Sequence, residues 1–337
     1  MKILVTGGAG FIGSNFIRYI LRKYPRYKIF NLDKLTYAGN LDNLRDVEKN
    51  PGYKFFKGDI CDKKIVKNLI KKVDVIVNFA AESHVDRSIL EPDSFIKTDI
   101  FGTYTLLEAA RKYKIKKYLQ ISTDEVYGSQ KTGYFKETDP LNPSSPYAAS
   151  KASADLLTLA YFKTHSLPVL ITRSTNNYGP YQYPEKIIPL FITNLLEGEK
   201  VPLYGKGLNK RDWLYVLDNC RAIDLILHQG KIGEIYNVAG DQELTNLELT
   251  KIILKEIGKD SSWIEYVKDR PGHDFRYAID CSKIKKLGWR PIYKFAKTIK
   301  ETINWYKDNS WWWKKLKLGG YLEYYKKQYE KKIKSKK

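Results

Sequence analysis

An α/β fold, a doubly wound parallel sheet with a smaller α/β lobe, follows from three features of the 337-residue chain. Short apolar runs of the kind buried on both faces alternate with helix-period segments through the first half, the pattern of a parallel sheet. A glycine-rich turn joins the first run to the first helix. Beyond about residue 175 the pattern loosens and is punctuated by Pro180, Pro184, Pro189 and Pro202, as expected of a smaller lobe.

Lys2 to Thr6 is the first predicted strand, and Ser14 to Lys23 the first helix. Between them lie Gly7-Gly8-Ala9-Gly10-Phe11-Ile12-Gly13, whose glycines at 7, 10 and 13 allow a tight turn and close approach of a pyrophosphate to the helix N-terminus. With strand before and helix after, this spacing predicts a Rossmann-type dinucleotide site. The second strand, Lys28 to Leu32, ends in Asp33, whose carboxylate can take ribose hydroxyls and repel a 2′-phosphate, favouring NAD over NADP. Tyr53 to Lys57 is the third strand and Asp62 to Lys72 the next helix. Asp59 between them is a partner for an adenine amino group or a helix cap.

The run Val73 to Phe79 predicts a buried strand, followed by Ala80-Ala81, small enough for a cofactor to lie close. The polar set Glu82, Ser83, His84, Asp86 and Arg87 comes next, with His84 read as structural or orienting. A helix is expected over Thr98 to Tyr113 and a strand over Tyr118 to Ile121. That strand leads into Ser122-Thr123-Asp124-Glu125, two adjacent carboxylates where open α/β sheets bind ligands. Ser144, Ser145 and Pro146 start a helix carrying Tyr147 and Lys151 four residues apart, hence on one face. An ammonium beside the phenol is expected to lower its pKa and make Tyr147 a usable base.

A strand over Leu167 to Thr172, a helix over Trp213 to Gln229 and a strand over Lys231 to Ala239 complete the reading. The formal charge of +21 admits nucleic acid, an anionic membrane or acidic substrates as partners. Most lysines are scattered, however, and only Lys326 to Lys337 is dense, so the excess reads as a solvated surface and a frayed basic tail. Trp311-Trp312-Trp313 reads as a cluster packed on the body rather than a membrane anchor. Cys61, Cys220 and Cys281 form neither a disulfide framework nor a metal spacing, and no metal is expected. Without a signal peptide or an apolar run of about 18 residues, a cytoplasmic location is expected.

The Gly-Gly-x-Gly-x-x-Gly and Tyr-x-x-x-Lys patterns resemble the extended short-chain dehydrogenase/reductases. Ser122-Thr123-Asp124-Glu125-Val126-Tyr127-Gly128 narrows this to the nucleotide-sugar 4,6-dehydratases. Asp33 to Asn40, Ala81 to Ser88, Asn176 to Pro180, Pro184-Glu185-Lys186, Arg211 to Val216 and Arg270 to Asp274 extend the likeness over nearly the whole chain, to the dTDP-glucose 4,6-dehydratases. The resemblance implies oxidation of a dTDP-glucose at C4, loss of water across C5–C6 and hydride return to C6, with NAD as the carrier. Thr123, Asp124, Glu125, Tyr147 and Lys151 would be catalytic: Tyr147 as base at the C4 hydroxyl, Glu125 as base at C5 and Asp124 as acid at the C6 hydroxyl. Such adjacent carboxyls titrate as a coupled unit. An epimerase, the competing reading with UDP-sugars, needs no acid at C6.

By the same resemblance the cofactor would be held by Gly7, Gly10, Phe11, Ile12, Gly13, Asp33, Lys34, Leu35, Thr36, Asp59, Ile60, Ala80, Ala81, Ser83, Thr98, Tyr147, Lys151 and Asn177. The substrate would meet Ser83, Thr123, Asn176, Glu185, Lys186, Pro202, Tyr204, Arg211, Asn246, Arg270, His273 and Tyr321. Arg211 presents a planar fork suited to a diphosphate, against the alternative of an ion pair with Asp212. Phe275 stands where many relatives carry arginine, with Arg276 beside it. The implied organisation is an NAD domain over 1–175 that the chain re-enters at about 212–240 and 287–310. A substrate lobe over 176–211 and 241–286 and a basic C-terminal segment over 311–337 complete it. A homodimer is implied as well.

Overall fold

The computed structural model describes residues 1–330. Its first half runs β1 (Lys2–Thr6), α1 (Phe11–Lys23), β2 (Lys28–Asp33), β3 (Tyr53–Lys57), α2 (Lys63–Ile70) and β4 (Val75–Asn78). Two short helices, α3 (Val85–Leu90) and α4 (Asp93–Phe95), lead through a π-helical stretch (Ile96–Gly102) into α5 (Thr103–Lys112). Next come β5 (Lys117–Thr123), a 3₁₀ turn (Asp124–Tyr127), α6 (Pro146–His165) and β6 (Val169–Ser174). Ser145 caps α6, accepting the Ala148 N–H at 3.1 Å, with Pro146 in the first turn as the sequence predicts.

The second half contains β7 (Asn176–Tyr178), α7 (Ile187–Leu196), β8 (Val201–Tyr204), β9 (Lys210–Tyr215), α8 (Val216–Gln229) and β10 (Ile235–Val238). It continues with β11 (Glu243–Thr245), α9 (Asn246–Ile257), β12 (Ile264–Val267), α10 (Ser282–Lys286), α11 (Phe295–Asp308), α12 (Ser310–Lys314) and α13 (Gly320–Tyr325). Among the described residues one sheet has the order β10-β6-β5-β4-β1-β2-β3, with every pairing parallel. The order reverses between β1 and β4, so a crevice opens at their carboxyl ends. One apolar cluster holds α1 and α8 against the sheet, and another holds α2 and α5. A third sits in the smaller lobe, where β11-β9-β7 and β12-β8 form small sheets beside α7 and α9.

Three expectations are corrected here. Trp213 to Tyr215 close strand β9, and the helix starts only at Val216. Pairing with β7 and β11 recruits this aromatic run into a strand, as aromatic residues readily permit. The segment 287–310 divides: Trp289 donates to the Asp218 carbonyl at the foot of α8. Helix α11 instead buries Ile299, Ile303 and Tyr306 in the third cluster, so it belongs with the smaller lobe. The C-terminal segment is packed where a frayed end was expected, with Tyr324, Gln328 and Tyr329 buried; residues 331–337 lie outside the described residues. Trp312 and Trp313 are buried, their indoles donating to Asn43 and to the Tyr306 carbonyl, while Trp311 stays exposed.

Candidate active site

The glycine turn packs directly on the end of β4. A Cβ added at Gly7, which has φ +68°, would lie 2.6 Å from the Ala80 nitrogen, and one at Gly13 would lie 2.5 Å from the Gly7 carbonyl oxygen. No side chain larger than hydrogen fits this cradle without moving backbone. Gly10 is the N-cap of α1 and brings no side-chain acceptor, so the first-turn N–H groups face the cleft as an anion site. At the end of β2 the Asp33 carboxylate accepts the Ala9 N–H at 2.9 Å and the Leu35 N–H at 2.8 Å, while burial raises its pKa. These residues form one cleft of about 280 Å³ whose shape and donors fit a dinucleotide.

Every residue expected at the cofactor lines this cleft except Leu35. Leu35 sits in the left-handed region at φ 57° and serves through its backbone, steadying Asp33. Asp59 pairs with Lys34 at 2.9 Å and accepts the Cys61 N–H at 2.8 Å. It is not the helix cap: Asp62 caps α2, accepting the Lys64 N–H at 2.7 Å.

At the floor of the cleft, β5 ends in Thr123 and the chain turns sharply. The Thr123 hydroxyl accepts the Glu125 N–H at 3.2 Å and lies 3.2 Å from Asp124 Oδ1. Asp124 is 2% exposed, and its Oδ2 has no hydrogen-bond partner among the described residues. Burial first, then the neighbouring Glu125 charge, raises its pKa well above the usual carboxylate range. The turn thus holds a buried carboxyl of raised proton affinity beside another that is half-buried.

Tyr147 and Lys151 rise from α6 into the same cleft. Their relation differs from the expected one. Lys151 Nζ donates to the Ile121 carbonyl at 2.7 Å, and burial lowers its pKa. Burial, followed by the Glu125 and Asp99 charges, holds the Tyr147 phenol well above its usual range against the downward pull of the Thr123 hydroxyl. Helical spacing places the two on one face, but β5 claims the ammonium and carboxylates surround the phenol.

A second cavity of about 140 Å³ adjoins the first, and Glu125, Asn176, Glu185 and Lys186 line both. Pro202, Tyr204, Arg211, Asn246, Arg270 and His273 line the second, as expected for the substrate. Ser83 and Thr123 face the first cavity alone. Tyr321 lines neither; buried, it donates to the Pro184 carbonyl at 3.1 Å and so packs the loop behind the cavity.

Arg211 lies on Tyr277, 4.2 Å from the ring centroid, and donates to the Lys210 and Asp274 carbonyls at 2.7 and 3.0 Å. Asp212 does not pair with it. Strand alternation sends Asp212 to the opposite face, where it accepts from Thr175 at 2.7 Å and the Gly240 and Gln242 N–H groups at 2.5 Å. Arg270 pairs with Asp86 at 3.2 Å, and its Nε is buried without a partner among the described residues. Burial, with Arg270 and Arg211 nearby, brings the His273 pKa down to about 4, so the ring is neutral at physiological pH. Two arginines and one neutral histidine therefore line a pocket suited to an anionic group. Arg276 does not substitute for an arginine at Phe275: it is held by Glu243 at 2.9 Å and by the Gly133 carbonyl, away from both cavities.

A protein-family model described as GDP-mannose 4,6 dehydratase matches residues 4–302. The dTDP-glucose 4,6-dehydratase of Streptomyces niveus is 52% identical over 322 residues, 94% of this chain and 96% of that protein. The chain belongs to the dTDP-glucose 4,6-dehydratase family. The low-salt glycan biosynthesis protein Agl12 of Haloferax volcanii is 53% identical over 306 residues, 91% of this chain and 98% of that one. The crystal structure of DesIV, a dTDP-glucose 4,6-dehydratase from Streptomyces venezuelae with NAD and TYD bound, matches with a TM-score of 0.93 at 51% identity, covering 94% of this chain and 100% of that one.

In this member of the dTDP-glucose 4,6-dehydratase family, several residues at the site have partners that no local signal in the sequence gives away. Arg87 is sandwiched between Tyr37 and Tyr324, 4.1 and 4.3 Å from their centroids, and pairs with Glu185 at 2.8 Å. Gln328 donates to Asp86 at 2.9 Å, and Tyr329 walls the second cavity beside Tyr204. His84 is buried under Tyr324 with Nε2 3.3 Å from the Glu185 carbonyl, which agrees with an orienting role. Asp99, buried behind Tyr147 and Lys151, belongs to no recognised pattern.

Proposed function

We propose that the protein converts dTDP-glucose to dTDP-4-keto-6-deoxyglucose, a step of nucleotide-sugar deoxygenation. The observation that carries this is the Asp124–Glu125 turn: a buried carboxyl whose pKa is pushed up, beside a second one, on the seam between the two cavities. NAD held in the glycine cleft supplies what side chains lack, a carrier that takes hydride from C4 and returns it to C6.

The side chains supply the proton transfers. Tyr147 would take the C4 hydroxyl proton while Thr123 orients that oxygen, once the positively charged nicotinamide ring bound in the cleft offsets the burial and the carboxylates that raise its pKa. The ketone formed at C4 acidifies the C5 proton, because the resulting carbanion is an enolate, and Glu125 removes it. The C6 hydroxyl leaves only as water, so it needs the proton that burial keeps on Asp124. Glu125 then returns a proton to C5, and no net oxidation results. Arg211 and Arg270 hold the diphosphate, which keeps the sugar over the seam. A homodimer is the assembly we infer. It is supported by the exposed apolar side chains Ile96, Phe101 and Leu156 on neighbouring helical segments, and sedimentation velocity tests it.

dTDP-glucose deuterated at C4 tests the reading, with UDP-glucose run beside it to judge base preference. The label is expected at C6 of the product. Release of label to water, or its return to C4 with inverted configuration, would falsify the mechanism. Asp124→Asn is expected to keep C4 oxidation and slow water loss by about 10²- to 10³-fold; unchanged dehydration removes Asp124 from the acid role.

A further inference from the structure

One buried ionisable group beside the reacting residues has no part in the chemistry above. Asp99 lies in the π-helical stretch, 1% exposed, directly after the cleft residue Thr98. Its Oδ2 accepts the Ser150 hydroxyl at 2.7 Å, and its Oδ1 accepts the Glu82 N–H at 2.9 Å. Ser150 stands on α6 between Tyr147 and Lys151 and also reaches the Tyr147 carbonyl at 2.8 Å. One carboxyl therefore ties the helix bearing Tyr147 and Lys151 to the loop leaving β4, the loop that walls the cofactor cleft. A π-helical insertion is a frequent way to turn a side chain inward at a functional site.

We propose that Asp99 is a positioning residue for the reaction, whose buried carboxyl fixes α6 against the β4 loop through Ser150 and the Glu82 N–H and places an ionisable group behind Tyr147 and Lys151. The charged groups facing it are Lys151 on α6 and Glu82 on the loop. Beyond these, Asp155 acts on Lys151, and Glu125 and Asp124 act on Tyr147 from the turn after β5. The negative charge of Asp99 opposes the loss of the Lys151 proton that burial favours and opposes ionisation of Tyr147, so it pulls both proton affinities upward. Burial, against the pull of Lys151, brings the Asp99 pKa up to about 7, so this charge changes across the working pH range.

The proposal rests on Tyr147 acting as the base, and the test separates the two. Asp99→Asn keeps both contacts, since its amide oxygen accepts the Glu82 N–H and its NH₂ donates to Ser150, while the charge is lost. A limb of the pH profile of kcat/KM above pH 7, where the parent carries the charge, is expected to move to lower pH by about one unit, with the optimal kcat within about 3-fold of the parent. Asp99→Ala, which also loses the tie, is expected to lower kcat by about 10-fold or more. A role in packing alone predicts limbs that stay in place in the Asn variant.

A second readout needs neither substrate nor cofactor. A carboxyl with pKa about 7 in the fold and about 4 in the unfolded chain contributes stability that is present at low pH and lost as pH rises through 7. The Asn variant lacks this loss. Its Tm relative to the parent is therefore expected to climb by about 5 °C between about pH 5 and about pH 8. Superimposable pH–rate limbs together with a flat Tm difference overturn the proposal. If Tyr147→Phe still oxidises C4, the reading of Tyr147 as base falls, while the Tm series still judges the charge at Asp99.

Discussion

The cofactor cleft and the substrate cavity share four lining residues and are built in opposite ways. The cleft is made mainly from strand ends: the turn after β1, Asp33 at the end of β2, Asp59 after β3, Ala80 after β4 and Thr123 at the end of β5. Parallel pairing brings these ends to one edge as soon as the sheet forms, so each short motif lands in a known place. The cavity is assembled by packing across long stretches of chain. Asp86 meets Tyr204 118 residues away, Arg270 184 away and Gln328 242 away. The lesson is that a site built on one sheet edge inherits its geometry from topology, whereas a site built by lobe packing needs each contact separately.

Three substitutions break or sharpen that contrast. The largest effect is expected of Gly13→Ala, whose Cβ would meet the Gly7 carbonyl oxygen at 2.5 Å and the Gly8 Cα at 2.8 Å. Affinity for NAD should fall by about 100-fold or more, by fluorescence titration, with dTDP binding retained. Parent-like NAD affinity would show that the cradle has room to spare. Arg211→Leu addresses the other region. The substrate KM is expected to rise by about 50-fold, as befits a lost charge-assisted contact, with NAD affinity unchanged. A KM within about 2-fold of the parent would remove Arg211 from the diphosphate. Tyr329→Ala, at the rim, is expected to raise the same KM by about 5- to 10-fold through lost aromatic surface. A loss of NAD binding instead would mean the two regions are coupled through the C-terminal segment.

The sequence was most legible where function sits on short local patterns. The glycine turn, Asp33, the Asp124–Glu125 pair and the Tyr147–Lys151 spacing all stand in or beside the predicted crevice. It misled where spacing was read as contact. Tyr147 and Lys151 share a helical face, yet the Ile121 carbonyl holds the lysine, and burial, then neighbouring carboxylates, raise the phenol's pKa. Arg276 seemed a natural stand-in at Phe275, but strand pairing turns it to Glu243. The aromatic run at Trp213 read as helix because its partner strands lie far from it in the chain, with Asn176 of β7 opposite Trp213 and Glu243 of β11 opposite Asp212, and carry no pattern of their own. The buried stretch from Tyr321 to Tyr329 looked like the start of a tail, since lysines between the tyrosines hide a face that only the packed lobe reveals.

By itself, the sequence determined the alternating architecture, the cofactor cradle and the pair of carboxyls, because each depends on the geometry of one strand end or one helical turn. Tertiary structure alone decided how deeply each carboxyl is buried, where the lysine points and which distant side chains close the substrate cavity. The physical reason is that burial and electrostatic surroundings are properties of the packed interior, set by residues far apart in the chain.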